Sequence, residues 1–223
     1  MRRIADSFRR AIAIFVASLL LVHPALAGQE RIANYRDTLS LFWGEVYEDG
    51  GETLYCGVRF GPEKGPDINV EHILPMSWVM NALDCDTRDQ CRRDSDRFNR
   101  IEADLHNLYP SRKDVNKARG SFPFGDVRGE YREFPECDFE VDRRRRLVEP
   151  RPASRGEIAR AMFYMHETYD LDIHTRLGKL LKRWYREDPP GAGEEHRNDV
   201  IEQLQGTRNR FIDEPEAAYR LWF

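Results

Sequence analysis

The sequence predicts a helix-rich α+β fold in a single domain, and three observations carry that prediction. Apolar residues recur at helical spacing through the last third, and short extended runs bounded by Gly and Pro occupy the middle. No shift in composition divides the chain beyond its first 27 residues. With 223 residues, 40% hydrophobic and 11% aromatic, the chain can bury a core without a metal, which excludes collagen-like and disordered classes. Solenoids and long coiled coils are excluded too, since no heptad run or fixed repeat is present.

The elements follow in order. Arg2, Arg3, Arg9 and Arg10 precede an apolar run over residues 11–22, and Ala25-Leu26-Ala27 closes it, the pattern of a secretory signal peptide over residues 1–27. That run is short for a membrane span and no later segment is apolar enough, so the mature chain is expected to be secreted or periplasmic, with no membrane part. Residues 36–50 suit a short amphipathic helix ended by Asp49-Gly50-Gly51, and residues 54–58 look like a strand. Turn material over 61–66 precedes an extended run, residues 68–70, that leads into Glu71-His72. Residues 84–100, dense in charge, read as a surface loop; 101–109 re-enter the core and 111–118 favour a short helix. Residues 131–148 can hold two strands around a turn. Ser154-Arg155-Gly156-Glu157 has the capping-box pattern and opens a helix whose Ile158, Ala161, Met162, Met165 and Tyr169 face the core. Further helices are expected over 176–186 and 194–204.

Loss of the leader removes four Arg and one Asp, leaving 31 basic and 38 acidic residues and a net charge of −7. Such a chain is not steered to nucleic acid by its overall field, so that activity would need a local basic patch. Export also sets the reading of Cys56, Cys85, Cys91 and Cys137: an even number in an oxidising compartment suggests two disulfides. Three pairings are possible; the short Cys85–Cys91 loop favours that pair and leaves Cys56–Cys137 to close a long one. Without a CxxC pair or alternating Cys and His, zinc is disfavoured, and His166-Glu167 with His174 lacks the HExxH spacing.

Three segments carry polar groups that packing would not choose: Glu71-His72, residues 102–108, and residues 114–119. Glu71 and Asn116 offer the oxygen ligands a hard cation such as Mg²⁺ prefers, and His72 is a nitrogen base near neutrality. That set suits phosphodiester hydrolysis, which must deprotonate a water and neutralise the departing oxygen.

The order Glu71-His72, Asn107 and Asn116 resembles the HNH, or ββα-metal (His-Me finger), nucleases. Glu71-His72-Ile-Leu-Pro, Glu102-Ala-Asp-Leu-His-Asn-Leu and Asp114-Val-Asn116-x-x-Arg119 more closely resemble the bacterial endonuclease I family, and the similarity continues through Arg155-Gly-Glu-Ile-Ala-Arg and Leu204-Gln-Gly-Thr-Arg-Asn. The resemblance spans residues 55–211 and implies that residues 28–223 form a nuclease domain with a ββα-metal core. It implies His72 as general base, Glu71 and Asn116 as metal ligands, Arg88 at the scissile phosphate, and Asn107 holding the histidine's loop. It further implies Mg²⁺ as the usual ion, with Mn²⁺ or Ca²⁺ as other candidates, DNA and often RNA as substrate without sequence preference, 5′-phosphate products, and a monomer. Where the family has Asn-Gly-Asp-Arg, this chain has Asn116-Lys117-Ala118-Arg119, and Asn209-Arg210 replaces the usual Asn-Pro. Lys117 adds charge near the substrate, so the preference between DNA and RNA is open.

Arg112, Lys113, Lys117 and Arg119 flank the metal-ligand segment and form the candidate basic patch for nucleic acid. The run Arg143–Arg146 is expected as a solvated face, and His106 as structural. Two other functions compete with a DNA endonuclease: a nuclease-fold module that binds nucleic acid without turnover, and a ribonuclease of the same fold.

Overall fold

The computed structural model describes residues 28–129 and 131–223; the leader expected over residues 1–27 lies outside them. Among the described residues, no helix is long and apolar enough to cross a membrane.

Helix α1 (Tyr35–Leu41) starts where the Asn34 side chain accepts from the amides of Arg36 and Asp37, and it runs on as a π-helical turn, Phe42–Val46. Strands β1 (Gly51–Glu52) and β2 (Arg59–Phe60) form a two-residue antiparallel ladder. The strand expected over residues 54–58 is instead the turn between them. Gly57 takes a φ of +69°, which an L side chain resists, and Leu54 and Tyr55 are apolar because they are buried, not because they pair.

Strand β3 (Ile68–His72) delivers Glu71 and His72, as expected. The chain then inserts three short helices, α2 (Met76–Ala82), α3 (Arg88–Asp94) and α4 (Asp96–Glu102), before strand β4 (Leu108–Arg112) returns antiparallel to β3. Residues 84–100 are therefore mostly helical, not loop. Thr87 and Ser95 accept hydrogen bonds from the amides of Gln90 and Phe98 and start α3 and α4. Each helix is only seven residues long, and α3 buries Cys91 alone, too little for a periodic apolar stripe.

Helix α5 (Lys113–Arg119) follows β4 directly, completing β3–β4–α5. Strands β5 (Phe139–Asp142) and β6 (Leu147–Pro150) form the hairpin foreseen near residues 131–148. Helices α6 (Arg155–Tyr169), α7 (Thr175–Glu187), α8 (Ala192–Gln205) and the short α9 (Arg210–Asp213) complete the chain. The capping box at Ser154 does not form. Its hydroxyl donates to the Arg151 carbonyl, and the Gly156 amide bonds Asp188 instead, because the segment enters through a 3₁₀ turn.

Helix α6 is the centre of the main core. Ile158, Ala161, Met162 and Met165 are fully buried and meet Trp184 from α7 and Phe211 from α9. A second cluster, including Phe42, Leu105, Leu108 and Ile201, supports the start of β4. Both expected disulfides are present, Cys56–Cys137 and Cys85–Cys91.

Candidate active site

The pleat of β3 sorts its side chains. Asn69 and Glu71 fall on one face, Val70 and His72 on the other. Helix α5 meets the first face with Asn116 and Arg119, three positions apart and hence on one side of the helix. Asn116 Nδ2 donates to Asn69 Oδ1 and to the Val70 carbonyl, both at 3.1 Å. Both partners are acceptors, so the amide nitrogen must face them and its oxygen is turned away. Arg119 Nη1 donates at 3.0 Å to Glu71 Oε1 and to the His72 carbonyl, and Nη2 reaches the Ile73 carbonyl at 2.6 Å. The Tyr55 hydroxyl also donates to Glu71 Oε1, at 2.8 Å. Burial pushes the Glu71 carboxyl above its usual range, while Arg119 and Tyr55 oppose that rise.

His72 sits on the other face, its ring centroid 5.1 Å from that of Tyr35. Its Nε2 lies 3.0 Å from the Glu102 carbonyl. A carbonyl can only accept, so Nε2 carries the proton and Nδ1 is the basic nitrogen. Burial, with Arg88 nearby, lowers the imidazole pKa to about 4, so the ring is neutral at pH 7 and able to accept a proton. Asn107 holds the segment after the histidine: its Oδ1 accepts from the Leu74 amide at 2.7 Å and its Nδ2 donates to the Leu74 carbonyl at 3.0 Å. Its backbone carbonyl takes the Ile73 amide at 3.0 Å.

Glu71, His72, Asn116, Arg88 and Arg92 line one cleft of about 580 Å³. Arg88, first residue of α3, bonds Glu102 Oε1, and Arg92 grips the same carboxylate at 2.8 Å through Nε and Nη2. Although burial would raise the Glu102 carboxyl, these two guanidinium groups hold it below its usual range. The predicted basic patch divides. Lys113 and Lys117 are exposed on α5, Arg112 pairs with Asp114 at 2.6 Å, and Arg119 is buried against Glu71, turned inward and not toward solvent.

Sequence reasoning missed Asn69, Tyr55, Arg92 and the inward role of Arg119. Two of these had a local signal: Asn69 stands two residues before Glu71 on a strand, and Arg119 three after Asn116 on a helix.

The donor set fits a hard divalent cation. Among the described residues, no group of three or more His, Cys, Asp or Glu side chains could hold a metal. Glu71 and Asn116 offer the cleft one carboxylate and one amide, and oxygen donors of this kind suit a hard cation such as Mg²⁺ better than zinc.

Residues 34–216 match the Endonuclease I family. An extracellular deoxyribonuclease of Aeromonas hydrophila is 34% identical over 193 residues, which cover 76% of this chain and 84% of that protein. A periplasmic deoxyribonuclease of the same organism is 32% identical over 193 residues, covering 76% and 81%. An extracellular ribonuclease of Bacillus amyloliquefaciens is 35% identical over 137 residues, covering 53% of this chain and 46% of that one.

Proposed function

This chain belongs to the endonuclease I family, and from that premise we propose that His72 is the general base of its phosphodiester hydrolysis. The protein is a secreted or periplasmic endonuclease that acts on nucleic acid without sequence preference and depends on a divalent cation. In this reading DNA is the main substrate and Mg²⁺ the ion, held by Glu71 and Asn116. The single observation behind the base is the bond from His72 Nε2 to the Glu102 carbonyl, which leaves Nδ1 basic and the ring neutral.

Nδ1 takes the proton of the attacking water, while the Glu102 carbonyl keeps the imidazole in the required tautomer. When bound, the ion supplies positive charge at the departing 3′-oxygen, which gives 5′-phosphate products. Tyr55 and Arg119 orient the Glu71 carboxylate, and Asn69 orients the Asn116 amide. Asn107 fixes the turn that follows His72. Arg88 stands at the cleft wall where a non-bridging phosphate oxygen could exchange for Glu102 as its partner. Residues 1–27 are the leader removed on export, and the mature chain acts as a monomer.

Supercoiled-plasmid cleavage by the oxidised mature protein, in low salt with Mg²⁺, tests the mechanism. Nicking that EDTA and His72→Ala both abolish is the expected result; wild-type rates from His72→Ala would sink it. The Bacillus relative supports a second reading, in which RNA is cut as well. Parallel digestion of matched DNA and RNA separates the two.

A further inference from the structure

In a chain with 39 acidic residues against 35 basic ones, a group of cations without ion pairs is informative. One such group lies outside the His72 cleft, on the β5–β6 turn and the face of α7 beside it. Arg143 is engaged by Glu133 through two bonds of 2.6 Å, and Arg145 approaches Asp142 at 3.9 Å. Arg144 and Arg146 are exposed and make no ion pair among the described residues; the Arg146 guanidinium lies over the Phe122 ring, 5.5 Å from its centroid. Arg176 and Lys179, one turn apart on α7, are likewise exposed and without an ion pair among the described residues. They line a groove of about 420 Å³ floored by Phe124 and Leu147, in which the acidic Asp126 is already paired with Arg183.

The groove and the cleft share one piece of chain. Gly120 and Ser121 line the cleft, Phe122 lies under Arg146, and Phe124 is the groove floor. Backbone bonds from Gly125 to the Val148 carbonyl and from Val148 to the Pro123 carbonyl tie this segment to β6 at the base of the turn. Ser121 and Phe124 are three residues apart, at most ~11 Å of chain. The facing edges of the cleft and the groove are therefore separated by no more than about three base-pair steps of duplex at ~3.4 Å each.

We propose that Arg144, Arg146, Arg176 and Lys179 form a second phosphate-binding track, which holds the nucleic-acid backbone a few nucleotides from the scissile bond. The inference rests on the endonuclease reading above. Its occupant is a sugar–phosphate strand, because the track offers exposed positive charge beside the apolar Phe124 and Leu147, with its acidic Asp126 already paired to Arg183. Phosphate binding of this kind adds affinity and salt dependence without sequence preference, and it leaves the bond-breaking step alone.

The test uses the mature, disulfide-bonded protein with R176Q/K179Q and, separately, R144Q/R146N; Asn tolerates the φ of +56° at position 146. For a duplex of about 30 base pairs, each pair of changes is expected to raise KM about tenfold, and the slope of log KM against log salt should fall by about 0.9 for each phosphate that is no longer neutralised. Expected to stay at wild-type values are kcat on that duplex and KM on a single-stranded tetranucleotide, with about three internucleotide phosphates, too few to reach the groove. A wild-type KM and salt slope on the long duplex would overturn the proposal, as would equal losses on both substrates. A wild-type protein that cut neither substrate would overturn the endonuclease reading itself, a different result from either.

Discussion

His106 is fully buried, its Nε2 3.0 Å from the Thr207 carbonyl and its Nδ1 without a hydrogen-bond partner among the described residues. Burial lowers its pKa to about 4, against Asp104, which pulls the other way. An unfolded chain binds a proton near pH 6.5 that the folded chain refuses until about pH 4, so this histidine stabilises the fold above 6.5 and loses that contribution as pH falls toward 4. The difference amounts to roughly 3 kcal/mol. His72 loses stability in the same direction, so the measurable quantity is the difference between wild type and His106→Gln. Urea midpoints at several pH values should show a shallower decline in the variant; identical declines would mean that His106 is not protonated on unfolding. At Asn107, substitution by Ala removes both Leu74 bonds and should cost about 1–3 kcal/mol, while lowering kcat more than it raises KM. An unchanged kcat in the folded variant would show that the turn keeps its shape without the amide. Glu71, His72 and Asn116 were legible as candidates because packing alone would not choose those polar groups there, whereas Asn107 entered with the family resemblance. Tyr55 was not, since its hydroxyl bond to Glu71 joins residues 16 apart, across a turn that resembled a strand.

At the scale of elements, β3, α5 and helices α6 to α8 were legible because each follows a patterned run with clear stops, whereas β4 was read only as chain re-entering the core, since Pro110 interrupts its strand pattern. Helices α3 and α4 were hidden by composition. Their stability comes from side-chain caps and from the Glu102 carboxylate, 1% exposed, that Arg88 and Arg92 hold from outside. The same residue lends its carbonyl to His72, so the inserted helices couple the charged cleft wall to the proposed general base. Glu102→Gln keeps the shape but leaves two guanidinium groups with a neutral acceptor. With both arginines about 40% exposed, water screens much of the loss, and a cost of about 1–2 kcal/mol is expected. The variant should also bind DNA more tightly, because Arg88 and Arg92 gain a free positive charge at the cleft. A stability loss with unchanged or weaker DNA affinity would place Arg88 among structural cations instead.

Over the whole molecule, the two disulfides act on very different lengths of chain. Cys85–Cys91 closes a loop with a separation of six residues, whereas Cys56–Cys137 spans 81 and encloses β3, β4 and α5. In the chain-entropy account the long bridge contributes roughly 4 kcal/mol and the short one roughly 2, by restricting the unfolded chain. The long bridge has a second consequence, because Cys56 follows Tyr55, whose hydroxyl orients Glu71. C56A/C137A should therefore lower the urea midpoint more than C85A/C91A and also reduce plasmid nicking at temperatures where the variant remains folded. If Glu71 holds the ion as proposed, added Mg²⁺ should recover part of that activity, since a loosened carboxylate would bind it more weakly and mass action would offset the loss. If the long-bridge variant lost stability but nicked plasmid at the wild-type rate in low Mg²⁺, the turn at Tyr55 would hold its place without the bridge. The influence of Cys56–Cys137 would then be confined to the unfolded chain.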